Sequence, residues 1–392
     1  MSATSACGNT LKQMEKNMSA GDIPNSYRMG FVLEQQLGHG THARNLERYV
    51  QNDQEVLPVW MPLAFEATGW LKTLPLVRSN WSVRASLLAR RAIARANRQQ
   101  SLDALFIHTQ VASLLAGPAM RAIPTIVSLD ATPINYDTLG TFYDHQSGGP
   151  LEGLKFRANV HAFKQATALV TWCQWAKDSL VRDYGVPSEK ITVIPPGVDL
   201  SLWPRKPIRP ELDATKPLKL LFVGGDFKRK GGNVLVECFQ RYFQERCELH
   251  LVTQEPVTPG PNLFVYQGVK PKSETLTRLF AEADLFVFPT LADCAPVAVT
   301  EALAASLPVI STRVGAIPES VQEGKTGLLV EAGNIEALRQ AIEWLLDHPE
   351  QRAEMGSTGR RLVEAEYDAE KNCRRLLTLL KTAARSSPRK KG

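Results

Sequence analysis

The chain has 392 residues, 44% of them apolar and 22% charged, with a net charge of +6. That length is too great for one ordinary core, and two folded units are expected. The composition is that of a globular protein and excludes a low-complexity or collagen-like chain. Six cysteines (Cys7, Cys173, Cys238, Cys247, Cys294 and Cys373) have neither the pairing of a disulfide scaffold nor the spacing of a metal site. They suit a reducing, cytoplasmic setting.

Residues 1–26 are polar, lack the apolar run of a secretory signal, and read as a flexible tail. Short apolar runs then alternate with helical patterns. Strands are expected at 29–36, 55–60, 103–108, 123–129, 167–171 and 191–194, and again at 218–223, 248–253, 263–266, 284–288, 308–311 and 327–330. Helices are expected at 41–52, 83–99, 174–184, 232–246, 273–282, 297–306 and 335–347. Such alternation predicts parallel sheets covered by helices on both faces. The fold class is therefore α/β, with two doubly wound, Rossmann-like domains facing each other across a cleft. Residues 195–217 are rich in proline and form no element. The expected division is 27–200 as an N-terminal, acceptor-side domain, 201–217 as linker, and 218–367 as a C-terminal, donor-binding domain. Residues 386–392 form a basic tail. In sheets of this kind ligands bind beyond the carboxyl ends of the strands.

Charge is unevenly spread. No Asp or Glu occurs between Glu66 and Asp103, while Lys72, Arg78, Arg84, Arg90, Arg91, Arg95 and Arg98 do. This is either a solvated helix face or a surface for anionic lipid. No nucleic-acid partner is expected. The most apolar candidate for a membrane span, 111–129, is broken by Pro118, Arg121 and Pro124.

Two stretches carry chemistry. In LLFVGGDFKRKGGN (220–233) a strand ends in Gly224 and Gly225, and Lys228, Arg229 and Lys230 precede a helix for which Asn233 is the expected N-cap. Glycines, cations and a helix N-terminus together suit a phosphate; the alternative is a basic surface turn. The stretch is neither a Walker A loop nor a dinucleotide fingerprint. In the second stretch, Glu301 is the only charged residue between Cys294 and Thr312, inside a helix apolar on all sides. A helix of that kind is buried, and a buried carboxylate needs a partner. Arg313, a backbone donor or ligand hydroxyls could each serve. Asp293 lies eight residues earlier, in the loop that precedes the helix, and can line the same pocket. No metal-ligand cluster is evident.

FVGGDFKRKGG, ADLFVFPT, ADCAPVAVTEALAASLPVISTRVGAIPE and EGKTGLLVEAGNIEAL, with WAKDSLVRDYGVPSEKITVIPPGVD upstream, resemble the family 4 retaining glycosyltransferases of GT-B fold. The likeness covers most of 165–350 and is fainter before it. It implies a sugar nucleotide as donor and co-substrate, no cofactor or metal, and a carbohydrate, lipid or small-molecule acceptor. It also implies a last helix, 368–385, that crosses back onto the N-terminal domain. Carried over by position, Asp293 holds the sugar, Glu301 the ribose, and Lys230 the diphosphate. Gly224, Gly225 and the amides of Val297 and Ala298 line the donor. Asp stands where the family has Glu, and Gly225 where it has an arginine, for which Arg229 is the nearest substitute. On the acceptor side the resemblance points to Gly38, His39, Gly40 and Thr41, and to Asp130, which follows Leu129 where the family often has histidine and is otherwise a helix or turn cap. His108 is a candidate because it ends a strand. Tyr143 and His145 are further acceptor candidates. A GT-B-shaped epimerase or phosphorylase, and a non-catalytic scaffold on the same fold, remain the alternatives.

Overall fold

The computed structural model describes residues 26–34, 39–63, 80–143, 152–205 and 217–386. The expected tail 1–26 (all but its last residue), Gly38, Lys72, Arg78, His145, most of the linker and residues 387–392 lie outside them, as does the Tyr143 side chain.

The strands are short runs of β-branched, leucine and aromatic residues. Those at the sheet centres are buried on both faces, as parallel strands flanked by helices must be. The first sheet comprises β1 (Tyr27–Glu34), β2 (Val56–Leu63), β3 (Ala104–His108), β4 (Thr125–Leu129), β5 (Ala168–Thr171) and β6 (Ile191–Val193), in the order β2-β1-β3-β4-β5-β6. The second comprises β7 (Leu218–Val223), β8 (Cys247–Val252), β9 (Leu263–Tyr266), β10 (Leu285–Phe288), β11 (Val309–Thr312) and β12 (Gly327–Val330), in the order β12-β11-β10-β7-β8-β9. All pairings are parallel. In each sheet the order reverses beside the first strand, and this switch point is where ligands bind in such folds.

Helices cover both faces. Ala43, Leu46 and Val50 of helix His39–Val50 pack against one face of the first sheet together with Cys373, Leu376, Leu377 and Leu380 of helix Ala369–Arg385. Helices Trp81–Gln99, Glu152–Gln165 and Gln174–Tyr184 pack on the other face through Ala89, Ile93, Phe163 and Leu180. The last helix therefore returns to the first sheet, where Lys381 bonds Asp53 at 2.8 Å and Glu55 at 2.7 Å. The chain passes between the two halves twice, side by side. Val198 N donates to Tyr367 O at 2.7 Å, and Ala369 N donates to Val198 O at 3.1 Å. At this crossing a Cβ on Gly197 would lie 2.0 Å from the Ala369 backbone, so only glycine fits.

Two expectations are corrected. Helix Gly232–Tyr242 ends four residues before the expected 246, and its N-cap is Gly231 in left-handed backbone (φ 76°) rather than Asn233. Helices Glu152–Gln165 and Pro349–Glu366 stand beside those named from the sequence.

Candidate active site

The loop after β7 is built around its glycines. A Cβ on Gly231 would stand 1.9 Å from the Pro289 carbonyl oxygen, and one on Gly232 would meet the Phe227 ring at 2.2 Å. The close approach locks this loop to the loop after β10. Asp226 serves the turn: it accepts from Arg229 N at 3.2 Å and from Arg229 Nε at 2.7 Å. Buried Arg229 also donates to Ala292 O at 2.8 Å and stands 3.9 Å from Asp293, so it braces one loop against the other. Lys230 reaches over the Phe288 ring, 5.3 Å from its centre, and forms an ion pair with Asp293.

The Asp293 loop is tied down from several sides. Leu291 N donates to Arg229 O at 2.9 Å, Thr312 Oγ1 to Thr290 O at 2.7 Å, and Ala316 N to Cys294 O at 2.8 Å. It leads through Pro296 into helix Val297–Ala304, whose far end is held by buried Arg360 donating to Ala304 O at 2.6 Å. Val297 and Ala298 lie in the first turn, where amides have no intrahelical acceptor.

Glu301 is buried in that helix, 7% exposed. Burial pushes its carboxyl up to about 7, against the opposing pull of Lys272 and Arg44. Arg313 is not its partner: Arg313 pairs with Glu323 at 2.8 Å and Glu331 at 3.9 Å. Among the described residues no side chain hydrogen-bonds the Glu301 carboxylate. Lys272 donates across the cleft to Asn45 of helix His39–Val50 at 2.6 Å.

The facing wall comes from the carboxyl ends of β1, β3, β4 and β5. His39 opens helix His39–Val50, with Gly40 buried and Thr41 half-buried behind it. His39 Nδ1 lies 2.6 Å from His108 Nε2, and its Nε2 lies 3.8 Å from Asp130. His108 is fully buried beneath His39, stacked on Trp172 with ring centres 5.0 Å apart. Burial first, then His39 and His42, hold His108 well below the ordinary histidine range. His42 is pushed down to about 3 by the same burial and by His39. Asp130 accepts from Ala131 N at 2.9 Å and from the Tyr136 hydroxyl at 3.2 Å. It thus caps its own turn and also faces His39.

The structure therefore brings His39, Asp130 and the underlying His108 together on one wall, and Lys230, Arg229, Asp293 and the Glu301 helix on the other. Gly224 and Gly225 line the turn after β7, where Gly224 N donates to Val252 O at 2.9 Å. The walls touch. Ala131 and Leu139 share an apolar cluster with Ala292 and Cys294. Burial raises the Cys294 thiol, and Asp130 and Asp293 raise it further. His42, Trp172, Tyr136 and Lys272 belong to the site as well, and sequence reasoning missed them. The His39–His42 spacing, three apart on one helix, was the only available signal. Among the described residues no group of three or more His, Cys, Asp or Glu is placed to hold a metal ion.

Two facing, doubly wound sheets with a cleft at their switch points define the GT-B glycosyltransferase fold. The chain belongs to the group 1, family 4 glycosyltransferases. The profile described as Glycosyl transferases group 1 matches residues 217–348, and that described as Glycosyltransferase Family 4 matches residues 38–202. An MMP alpha-(1->4)-mannosyltransferase of Mycolicibacterium hassiacum is 28% identical over 209 residues, covering 50% of each chain. The chain thus spans about half the length of the curated relatives it matches. Among solved structures, the sucrose-phosphate synthase of Thermosynechococcus elongatus superposes with a TM-score of 0.74 at 16% identity, covering 92% of this chain and 100% of that one. Anabaena Alr3699/HepE, in complex with UDP-glucose, gives 0.66 at 16% identity, covering 91% and 100%.

Proposed function

We propose that this protein transfers a hexose from a nucleoside-diphosphate sugar to a hydroxyl acceptor, with retention at the anomeric carbon. The observation that carries this reading is Glu301. A buried carboxylate with no hydrogen-bond partner among the described residues, beside a loop of cations, suits ligand hydroxyls and a diphosphate together. UDP-glucose bound to a protein of the same fold supports the donor class.

In this reading Glu301 holds the ribose. Lys230 leaves Asp293 to meet the diphosphate, and the amides of Val297 and Ala298 add their dipoles at the leaving phosphate. Released from Lys230, Asp293 accepts hydrogen bonds from the transferred sugar. As the bond to phosphate breaks, positive charge grows on the sugar and negative charge on the phosphate. The leaving phosphate takes the proton of the acceptor hydroxyl, so no carboxylate base is required. His39 and Asp130 orient the acceptor, and the closed walls keep water out. The buried thiols Cys173, Cys238, Cys247, Cys294 and Cys373 suit cytoplasmic residence.

Melting with UDP, GDP and ADP, then with the matching sugar nucleotides, tests the donor site. A nucleotide at a hundredfold excess over its Kd stabilises the wild type by about 2.7 kcal/mol. Lys230→Ala and Glu301→Ala should fold and lose that gain. Undiminished stabilisation in both variants would sink the assignment.

Among the described residues no helix is long and apolar enough to cross a membrane. We infer peripheral contact instead. Helix Trp81–Gln99 exposes Arg90, Arg91, Arg95 and Arg98. On the same face of the first sheet, Val83, Leu115, Leu154 and Phe156 stand exposed, Leu154 by 66%. Cations and apolar side chains exposed on one face fit an anionic lipid surface.

A further inference from the structure

Helix Gln174–Tyr184 begins without a cap of its own. Its N-cap is Cys173, a poor capping residue, which makes no side-chain capping bond. The Cys173 thiol is instead directed at Asp130 O, 3.4 Å away. The first-turn amides find their acceptor in the other half of the molecule. Gln174 N donates to one carboxylate oxygen of Glu319 at 2.8 Å, and Trp175 N donates to the other at 2.8 Å. A carboxylate spanning two amides at the positive end of a helix is a strong contact. Around it Cys173 and Ala176 pack against Ala316.

Both ends of this contact reach the site. Glu319 lies in the short helix Ile317–Ser320, entered through Gly315 in left-handed backbone (φ 55°). A Cβ on Gly315 would stand 2.2 Å from Asp293 O, and Ala316 N bonds Cys294 O. Glu319 is thereby fixed to the loop that carries Asp293. On the other side, Trp172 directly precedes the capped helix and supports His108, which in turn touches His39.

We propose that Glu319 is a positioning residue. It caps helix Gln174–Tyr184 in trans, holds the two halves in closed register, and sets the His39–Asp130 wall against the Asp293 loop. Its consequence for transfer rests on the sugar-transfer reading, whereas the capping contact stands apart from it. The cap is completed only when the halves meet, so closure and helix-end stability are one event.

The test uses the full chain without any sugar nucleotide, so its failure is separable from failure of the transfer reading. Small-angle scattering reports closure, and hydrogen exchange over 173–178 reports the cap. Glu319→Ala should increase the radius of gyration and speed exchange of those amides roughly tenfold or more. Should that variant not fold, Glu319→Gln, of the same shape but uncharged, carries the same test with a smaller change. Adding Cys173→Ser to Glu319→Ala gives the helix its own cap. Protection should then return while the radius of gyration stays large. Unchanged radius and exchange in the Glu319 variants would overturn the proposal. So would recovery of the closed radius by Cys173→Ser, which would reduce Glu319 to a support for the helix end.

Discussion

At the scale of single residues, the proposed role of Glu301 ties ligand binding to pH. Its carboxyl titrates near 7 because burial outweighs Lys272 and Arg44, whereas in the unfolded chain it titrates at the ordinary value of 4.5. Between those values the folded protein holds a proton that the unfolded chain has lost. Stability from this group is therefore complete below about 4.5 and is lost as pH rises through about 7. In the proposed donor site binding runs the other way, since ribose hydroxyls bond the ionised form best. The affinity for UDP should rise by about tenfold from pH 6 to pH 8, and Glu301→Gln should flatten that profile. Calorimetric titration of both proteins across the range checks it. A wild-type profile as flat as that of the variant would show that Glu301 is not the titrating contact.

The elements of the site differ in how much their backbone tolerates. Gly231 combines left-handed backbone with a carbonyl where a Cβ would go. A Cβ on Gly225, in the same loop, would come no closer than 3.7 Å to its nearest neighbour, the Gln254 side chain, an ordinary van der Waals contact. Gly231→Ala should therefore cost at least about 1–3 kcal/mol in denaturant unfolding and weaken nucleotide binding. Gly225→Ala should change stability by less than about 0.5 kcal/mol. Equal cost at the two positions would contradict the packing of the loop on Pro289. The strands and most helices were legible because apolar runs buried on both faces, divided by amphipathic stretches, leave a direct trace in the residue order. Glu301 was legible for the same reason, as one charge in an apolar helix. What was not legible depends on which surfaces meet. The Lys230–Asp293 pair, the histidines stacked on Trp172, the Lys272–Asn45 bond and the Glu319 cap join residues that are distant in the chain. No local spacing encodes them. Asn233 was misread as a cap because residue preference outweighed the left-handed glycine two positions before it.

For the whole molecule, the face of the first sheet that carries helix Trp81–Gln99 differs from the opposite one. The opposite face is covered by helix Ala369–Arg385, which crosses back from the second half and is fastened there by Lys381. The Trp81–Gln99 face instead leaves arginines and large apolar side chains exposed. Each basic residue near an anionic lipid surface contributes about 1 kcal/mol, and salt screens that attraction within about 10 Å. The protein should therefore sediment with phosphatidylglycerol-containing vesicles, less so as salt rises, and weakly with phosphatidylcholine alone. Arg91→Glu combined with Arg95→Glu should weaken vesicle binding by at least about tenfold. The nucleotide-induced rise in melting temperature should be kept, since neither arginine lines the cleft. Leu154→Ser with Phe156→Ser should lower binding to anionic vesicles without altering its salt dependence, because the apolar part of the contact is unscreened. Equal binding to neutral and anionic vesicles, or full binding by the double-glutamate variant, would assign the arginines to solvent alone.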